Sequence, residues 1–280
     1  MKTLEINQKY RCLLKETTVI DERGELRQLS VAGENPLTIY LNKREIVTIM
    51  TLGSQAIPLV LGYLRNQQFI RQYSDVISLQ IDWEVNAAVV NTRNEADNIA
   101  EKLNSRTVTS GCGQGTIYGN LLEQIEGVQF PEMTISQSEI YQLSQLLSRV
   151  NTTYRSAGAV HGCAICSRNE IIAFNEDVGR HNAVDTLAGL MWIDDISCDE
   201  KIFYTTGRLT SEMVMKVAQI GIPILLSRSG VTEMGLSLAQ KLNITLIARA
   251  KGRHFLIFNG KERVVLDLID QDASINHTSA

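Results

Sequence analysis

The chain has 280 residues, enough for one large domain or two modest ones, and its 44% hydrophobic and 21% charged content is that of a globular protein. A formal net charge of −4 gives no support for non-specific nucleic-acid binding and leaves room for a local basic pocket only. Met1-Lys2-Thr3-Leu4-Glu5 is no apolar signal region and the apolar runs 57–64 and 220–226 are too short to span a bilayer, so a cytoplasmic location without membrane contact is expected.

Residues 1–30 are polar and weakly patterned and read as an extended or loosely held N-terminal segment. Leu37–Leu41 and Glu45–Thr51 alternate and are rich in Thr, Ile and Val, with Asn42-Lys43-Arg44 as a hairpin turn between them. Ser54 is placed to cap a helix over 55–65, with Pro58 tolerated in its first turn. Strands are predicted over 77–85 and 87–92, which completes a small α+β domain over 31–106.

Residues 107–135 form a loop and linker around Ser110-Gly111-Cys112-Gly113-Gln114-Gly115. Three glycines around one thiol predict a mobile, reachable loop on which thiol chemistry is possible. Ser136-Gln137-Ser138-Glu139 has capping-box form, and Ile140, Leu143, Leu147 and Val150 follow at helical spacing.

An α/β ligand-binding domain is predicted over 136–280. Strands are expected over 159–166, 170–174, 201–204, 222–226, 244–248 and 255–258. Helices are expected from Asn182, with Val184, Leu187, Leu190 and Met191 inward, and over 211–220 and 232–242. Such alternation implies a largely parallel sheet covered by helices.

Four connections share one chemistry: Glu176–Asn182, Thr205–Ser211, Ser227–Thr232 and Arg249–His254 each combine glycine with arginine. In an open α/β sheet such loops gather at the carboxyl ends of the strands, where ligands bind. Glycine lets backbone N–H groups approach a ligand, helix N-termini favour anions, and arginine grips phosphate or carboxylate in bidentate fashion. The set implies a pocket for a phosphorylated ligand built from Asp177, Gly179, Arg180, His181, Asn182, Gly207, Arg208, Ser211, Ser227, Arg228, Thr232, Arg249, Ala250, Lys251, Gly252, Arg253 and His254. Glu176 and Asp177 have two readings: they hold Arg180 or Arg208 in place, or they bond ligand hydroxyl or base N–H groups.

The five cysteines are odd in number and irregularly spaced, unlike a disulfide framework. Cys163-Ala164-Ile165-Cys166 has metal-ligand spacing with His161 before it, but strand alternation turns the two thiols to opposite faces. Buried structural cysteines are the expectation, and no metal site is predicted. His161-Gly162-Cys163 lacks the glutamate of a zinc deaminase, and no Pro-Cys-x-x-Cys is present. A hydrolase pairing Cys112 with His181 would need an orienting residue and an oxyanion hole that the sequence does not identify.

The run Glu176-Asp177-Val178-Gly179-Arg180-His181-Asn182-Ala183-Val184-Asp185, with Val160-His161 before it, resembles the signature of the FdhD family of formate dehydrogenase accessory proteins, described as sulfur carriers. Ser211-Glu212-Met213-Val214-Met215-Lys216, Thr245-Leu246-Ile247 and the segment 36–62 resemble further family segments, so the likeness spans nearly all of the chain beyond residue 30. It implies a two-domain homodimer whose larger domain resembles the cytidine deaminase fold. It also implies a sulfurtransferase function, in which a persulfide sulfur passes from a cysteine desulfurase to the molybdenum cofactor in its bis(molybdopterin guanine dinucleotide) form, as formate dehydrogenase requires. The family's Cys-Gly-x-Cys loop sets its persulfide cysteine on Cys112, and its nucleotide-binding segment falls on Arg249–His254. The alternative is a chaperone that binds the cofactor or a guanine nucleotide without carrying sulfur. Three departures stand out: Gly115 replaces the second loop cysteine, Thr186 stands where the family has Lys, and Leu52-Gly53 replaces a proline after Thr51.

Overall fold

The structure is a computed structural model that describes residues 3–7, 13–93, 107–108, 115–116 and 127–268. Strands β1 (Thr3–Asn7), β2 (Leu14–Ile20), β3 (Leu26–Ala32), β4 (Asn35–Leu41) and β5 (Arg44–Thr51) precede helix α1 (Ala56–Asn66). Strands β6 (Val76–Asp82) and β7 (Ala87–Thr92) follow it, and the short β8 (Thr107–Val108) and β9 (Gly115–Thr116) pair antiparallel. Next come β10 (Ile135–Ser136), α2 (Gln137–Val150), α3 (Thr152–Ala157), β11 (His161–Cys166), β12 (Ile171–Asp177) and α4 (Arg180–Ile193). The remainder alternates: β13 (Ile202–Thr205), α5 (Ser211–Ile220), β14 (Ile224–Ser227), α6 (Glu233–Lys241), β15 (Thr245–Lys251), β16 (His254–Asn259) and β17 (Val264–Val265).

These elements form two compact units that interleave along the chain, one of residues 1–124, 151–163 and 174–197, the other of 125–150, 164–173 and 198–280. Helix α4, predicted within a domain over 136–280, therefore belongs with the N-terminal strands.

In the first unit, the sheet order is β1-β6-β7-β4-β5. The two-residue link Asn42-Lys43 joins β4 to β5 with both residues left-handed (φ 48° and 68°), the geometry whose twist suits a hairpin. Within the N-terminal segment expected to be extended or loosely held, Leu14–Ile20 and Leu26–Ala32 pair as the antiparallel β2–β3 hairpin. Its turn closes on Asp21 Oδ1, which accepts from Arg23 N–H (2.9 Å) and Glu25 N–H (3.0 Å). Both faces of this hairpin carry exposed residues, so the apolar alternation that signals a half-buried strand is missing. Helix α1 is capped at Gln55, not at Ser54, and without a side-chain bond. It crosses α4 at backbone contact: a Cβ on Gly62 would lie 1.6 Å from Asp185 O, and one on Gly189 would lie 1.9 Å from Pro58 O. Asn66 Nδ2 donates to Asp185 Oδ1 (2.7 Å) and Arg65 Nη1 to Ala188 O (2.8 Å) along the same seam.

In the second unit the capping box forms as predicted: Ser136 N–H donates to Glu139 Oε2 (2.7 Å) and Glu139 N–H to Ser136 Oγ (3.1 Å). Ile140, Leu143 and Leu147 are the buried stripe of α2. The sheet order is β12-β11-β13-β14-β15-β16, with β13, β14 and β15 parallel and β16 antiparallel at the edge. Thr210 and Thr232 cap α5 and α6, each accepting from the amide three residues on, and left-handed Gly221 ends α5. No helix among the described residues is long and apolar enough to cross a membrane.

Candidate functional site

Three of the four predicted loops meet at the carboxyl edge of the second unit's sheet. The register aligns Thr205 with Ser227, so β13 and β14 end level, and Leu226 with Ile247, so β15, which ends at Lys251, runs on past them. Buried hydroxyls then fix the loops that follow. Thr205 Oγ1 accepts from Gly207 N–H (3.0 Å), while Thr205 O accepts from Arg228 N–H (3.2 Å). Ser227 Oγ donates to Gly207 O (2.7 Å) and accepts from Ser229 N–H (2.9 Å). Ser229 O in turn accepts from Arg249 N–H (2.9 Å), linking the second loop to the third. Leu209 bridges Val231, and a Cβ on Gly235 would sit 2.4 Å from Leu209 O, so only glycine lets α6 approach this closely.

The charged members of these loops point outward: Arg208, Arg228, Arg249, Lys251, Arg253 and His254 are exposed, whereas Gly207, Ser227 and Ala250 are buried. Among the described residues none of Arg208, Arg228, Arg249 and Lys251 is engaged in an ion pair. Arg249 sits at the bulge of β15 with φ 53°, a left-handed conformation that costs a non-glycine residue about 1 kcal/mol. The result is a cationic edge on a backbone already fixed by neutral hydroxyls, suited to hold phosphate or carboxylate groups.

The fourth loop belongs to the first unit. Asp177 is buried and accepts four hydrogen bonds: from Thr51 Oγ1 (2.5 Å) and Leu52 N–H (3.1 Å) on one oxygen, and from Gly179 N–H (3.0 Å) and Asn182 Nδ2 (2.8 Å) on the other. Burial raises its pKa above the usual carboxylate range, against the pull of these four bonds. Glu176 accepts from Thr153 N–H and Tyr154 N–H (both 2.9 Å), the open amides that begin α3. Both carboxylates thus bind protein groups that neither reading of them anticipated. Asn182, predicted as a helix cap, lies in the first turn of α4, whose cap is Gly179. Its amide also donates to Met50 O (2.7 Å), which fastens the end of β5 to the start of α4. Arg180 and His181 are buried beside it, and Thr186 Oγ1 donates to Asn182 O (2.8 Å).

Cys112 and Cys12 lie outside the described residues. Cys163 and Cys166 are fully buried, and burial pushes the Cys166 thiol up to about 12. Sequence reasoning missed Thr51 and Thr205. Each is a threonine closing a strand just before a glycine-containing turn, a pattern that marks a hydroxyl able to bond the turn's own amides.

The fold and this edge define a mixed α/β protein with arginine-bearing loops at the ends of adjacent parallel strands. The chain belongs to the FdhD/NarQ family, which it matches over residues 32–265. It is 32% identical over 253 residues to the sulfur carrier protein FdhD of Listeria innocua, covering 87% of this chain and 95% of that one. To the protein of the same name from Halalkalibacterium halodurans it is 30% identical over 254 residues, covering 90% and 94%. The crystal structure of a Desulfotalea psychrophila protein described as a formate dehydrogenase accessory protein superposes with a TM-score of 0.74 at 29% identity, covering 90% of this chain and 98% of that one.

Proposed function

We propose that the protein is a sulfur carrier that takes a persulfide sulfur from a cysteine desulfurase and passes it to the molybdenum cofactor, in its bis(molybdopterin guanine dinucleotide) form, on behalf of formate dehydrogenase. Membership of the FdhD/NarQ family carries this reading, with relatives named as sulfur carriers across nearly their whole length. The cationic edge supports it, because a guanine dinucleotide brings phosphates that exposed arginines on a fixed backbone can hold. The cofactor is a substrate here. Arg208, Arg228 and the segment Arg249–His254 bind and orient it, and Cys112 carries the sulfur. The reading includes a homodimer in the cytoplasm and a larger domain with the cytidine deaminase fold.

In the loading step the Cys112 thiolate attacks the outer sulfur of the desulfurase persulfide. A new S–S bond forms on Cys112 as the donor's S–S bond breaks, and the donor cysteine leaves as a thiolate. The exchange needs no external oxidant or reductant. With Gly115 in place of a second loop cysteine, Cys112 carries the sulfur without a resolving thiol in its own loop.

Intact-mass spectrometry after incubation with a cysteine desulfurase and cysteine tests the reading. One added sulfur on the wild type, absent from Cys112→Ala, is the expected result. A Cys112 that stays unmodified while guanine nucleotide still binds would refute sulfur carriage and leave the chaperone alternative.

A further inference from the structure

The β2–β3 hairpin is a sheet of its own, with no third strand beside it and no buried residue in either strand. A two-stranded ribbon is marginal in water unless something packs on it, and here β3 leans on α3. Leu13, Leu14, Ile20, Leu26, Leu29 and Val31 are exposed along the hairpin, six of the fifteen exposed large apolar side chains found among the described residues. Apolar surface gathered on so short a segment marks a contact with another molecule.

The register runs unbroken from Leu14 opposite Ala32 to Ile20 opposite Leu26, so even-numbered residues share one face and odd-numbered residues the other. The even face is apolar at both ends, with Ile20 (70% exposed) and Leu26 (73%) at the tip, and Leu14 (40%) and Ala32 at the base. Its two middle rows are polar and bonded across the strands: Gln28 Nε2 donates to Thr18 Oγ1 (2.7 Å), and Ser30 Oγ to Glu16 Oε1 (2.5 Å). This face has no cation, whereas the odd face carries Lys15 and Arg27. An order of apolar, polar, polar, apolar reads the same from either end, so it complements a second copy of itself turned end for end. In that stack the tip of each hairpin meets the base of the other, and the Glu16–Ser30 row meets the Thr18–Gln28 row. The Glu16 carboxylate then faces the second N–H of a Gln28 amide and not another carboxylate. Stacked in the same way, the odd face would bury Lys15 against Val19, a charge with no acid opposite it.

We infer that the even face of the β2–β3 hairpin is a self-association surface, on which a second copy of this chain stacks with its hairpin reversed. The inference rests on the homodimer in the functional reading above and names a surface that joins it. The stack closes about a two-fold axis, so it stops at two copies. It joins eight residues of each copy over about 20 Å of strand, against about 20–30 residues a side in a standard interface, so the association is weak and depends on concentration.

Sedimentation equilibrium of the full chain over a range of concentrations tests it. Ile20→Asp and Leu26→Asp each set a carboxylate into the apolar end of the stack and should raise the dimer dissociation constant about tenfold or more. Both positions are exposed, so urea unfolding of these variants should stay near wild type. Ile20→Thr keeps a β-branched strand former and should weaken association in the same direction. Leu29→Asp on the odd face and Val85→Asp, exposed elsewhere in the same unit, should leave it unchanged. A dimer that ignores Ile20→Asp and Leu26→Asp would overturn the inference and leave the homodimer standing on another surface. Equal weakening by Leu29→Asp would also overturn it, because the even face would then have no special part. A wild type that stays monomeric at the highest concentration would overturn the inference and the homodimer together, and would leave sulfur carriage by Cys112 untouched.

Discussion

Asp177→Asn tests whether the buried carboxylate holds the start of α4 to the end of β5. Each of its oxygens accepts from two donors, so the variant's amide must face two donors whichever way it turns. On the Thr51 side the hydroxyl can reverse and accept, but Leu52 N–H then has no acceptor. On the other side Gly179 N–H is stranded, and turning the Asn182 amide would cost Met50 O its donor. One buried N–H left unpaired costs about 1–3 kcal/mol, and the remaining bonds lose their charge assistance. Relief from burying a charge offsets part of this, which leaves a loss of about 2 kcal/mol at pH 7. The sign with pH follows from the raised pKa. Folded Asp177 holds its proton above the unfolded value of about 3.9, so this residue's contribution is full below that value and falls as pH rises through the raised one. The Asn variant has no such dependence, so the stability gap should be larger at pH 4 than at pH 7. Urea unfolding followed by circular dichroism at both pH values measures it. A gap under about 0.5 kcal/mol at both, or one that widens toward pH 7, would refute the reasoning, the second because the hydrogen bonds would then outweigh burial.

Two further outcomes follow from packing. Gly62→Ala places a methyl on the Asp185 carbonyl, where backbone rather than a flexible side chain must move, so it should cost about 3 kcal/mol in chemical denaturation. In the folded protein Cys166, with its thiol pushed up to about 12, should resist iodoacetamide at pH 8 and react once urea unfolds the chain, as peptide mass mapping would show.

The parts of the fold that were legible in the sequence are those fixed by local chemistry. The limits of α5 follow from Thr210 before it and Gly221 after it, and the β4–β5 hairpin from a two-residue turn that tolerates positive φ. The parts that were not legible depend on distant partners. Asn182 looks like a cap by its residue type, but its amide is drawn to Asp177 and to Met50 O, 132 residues away, and Gly179 takes the cap position. The β2–β3 hairpin escaped because a two-stranded ribbon exposed on both faces carries no burial pattern to read. For the site, glycine and arginine at successive strand ends pointed to the edge that Thr205–Ser211, Ser227–Thr232 and Arg249–His254 form.

The division of labour at that edge argues for a ligand rather than for stability. The loops are held by Thr205 and Ser227, which are buried and neutral, and the arginines beside them take part only through their backbone N–H groups. Neighbouring strands bring Arg228 and Arg249 within about 5 Å of each other along the backbone. Like charges on neighbouring strands repel, so setting them side by side does nothing to stabilise the free protein. A bound phosphate reverses that sign for every pair it bridges, and it does so without rearranging a backbone that the hydroxyls have already set. An edge built for stability would have placed carboxylates among these guanidiniums. Among the described residues none pairs with Arg208, Arg228 or Arg249, and under the proposed function the cofactor's phosphates supply the counter-charge.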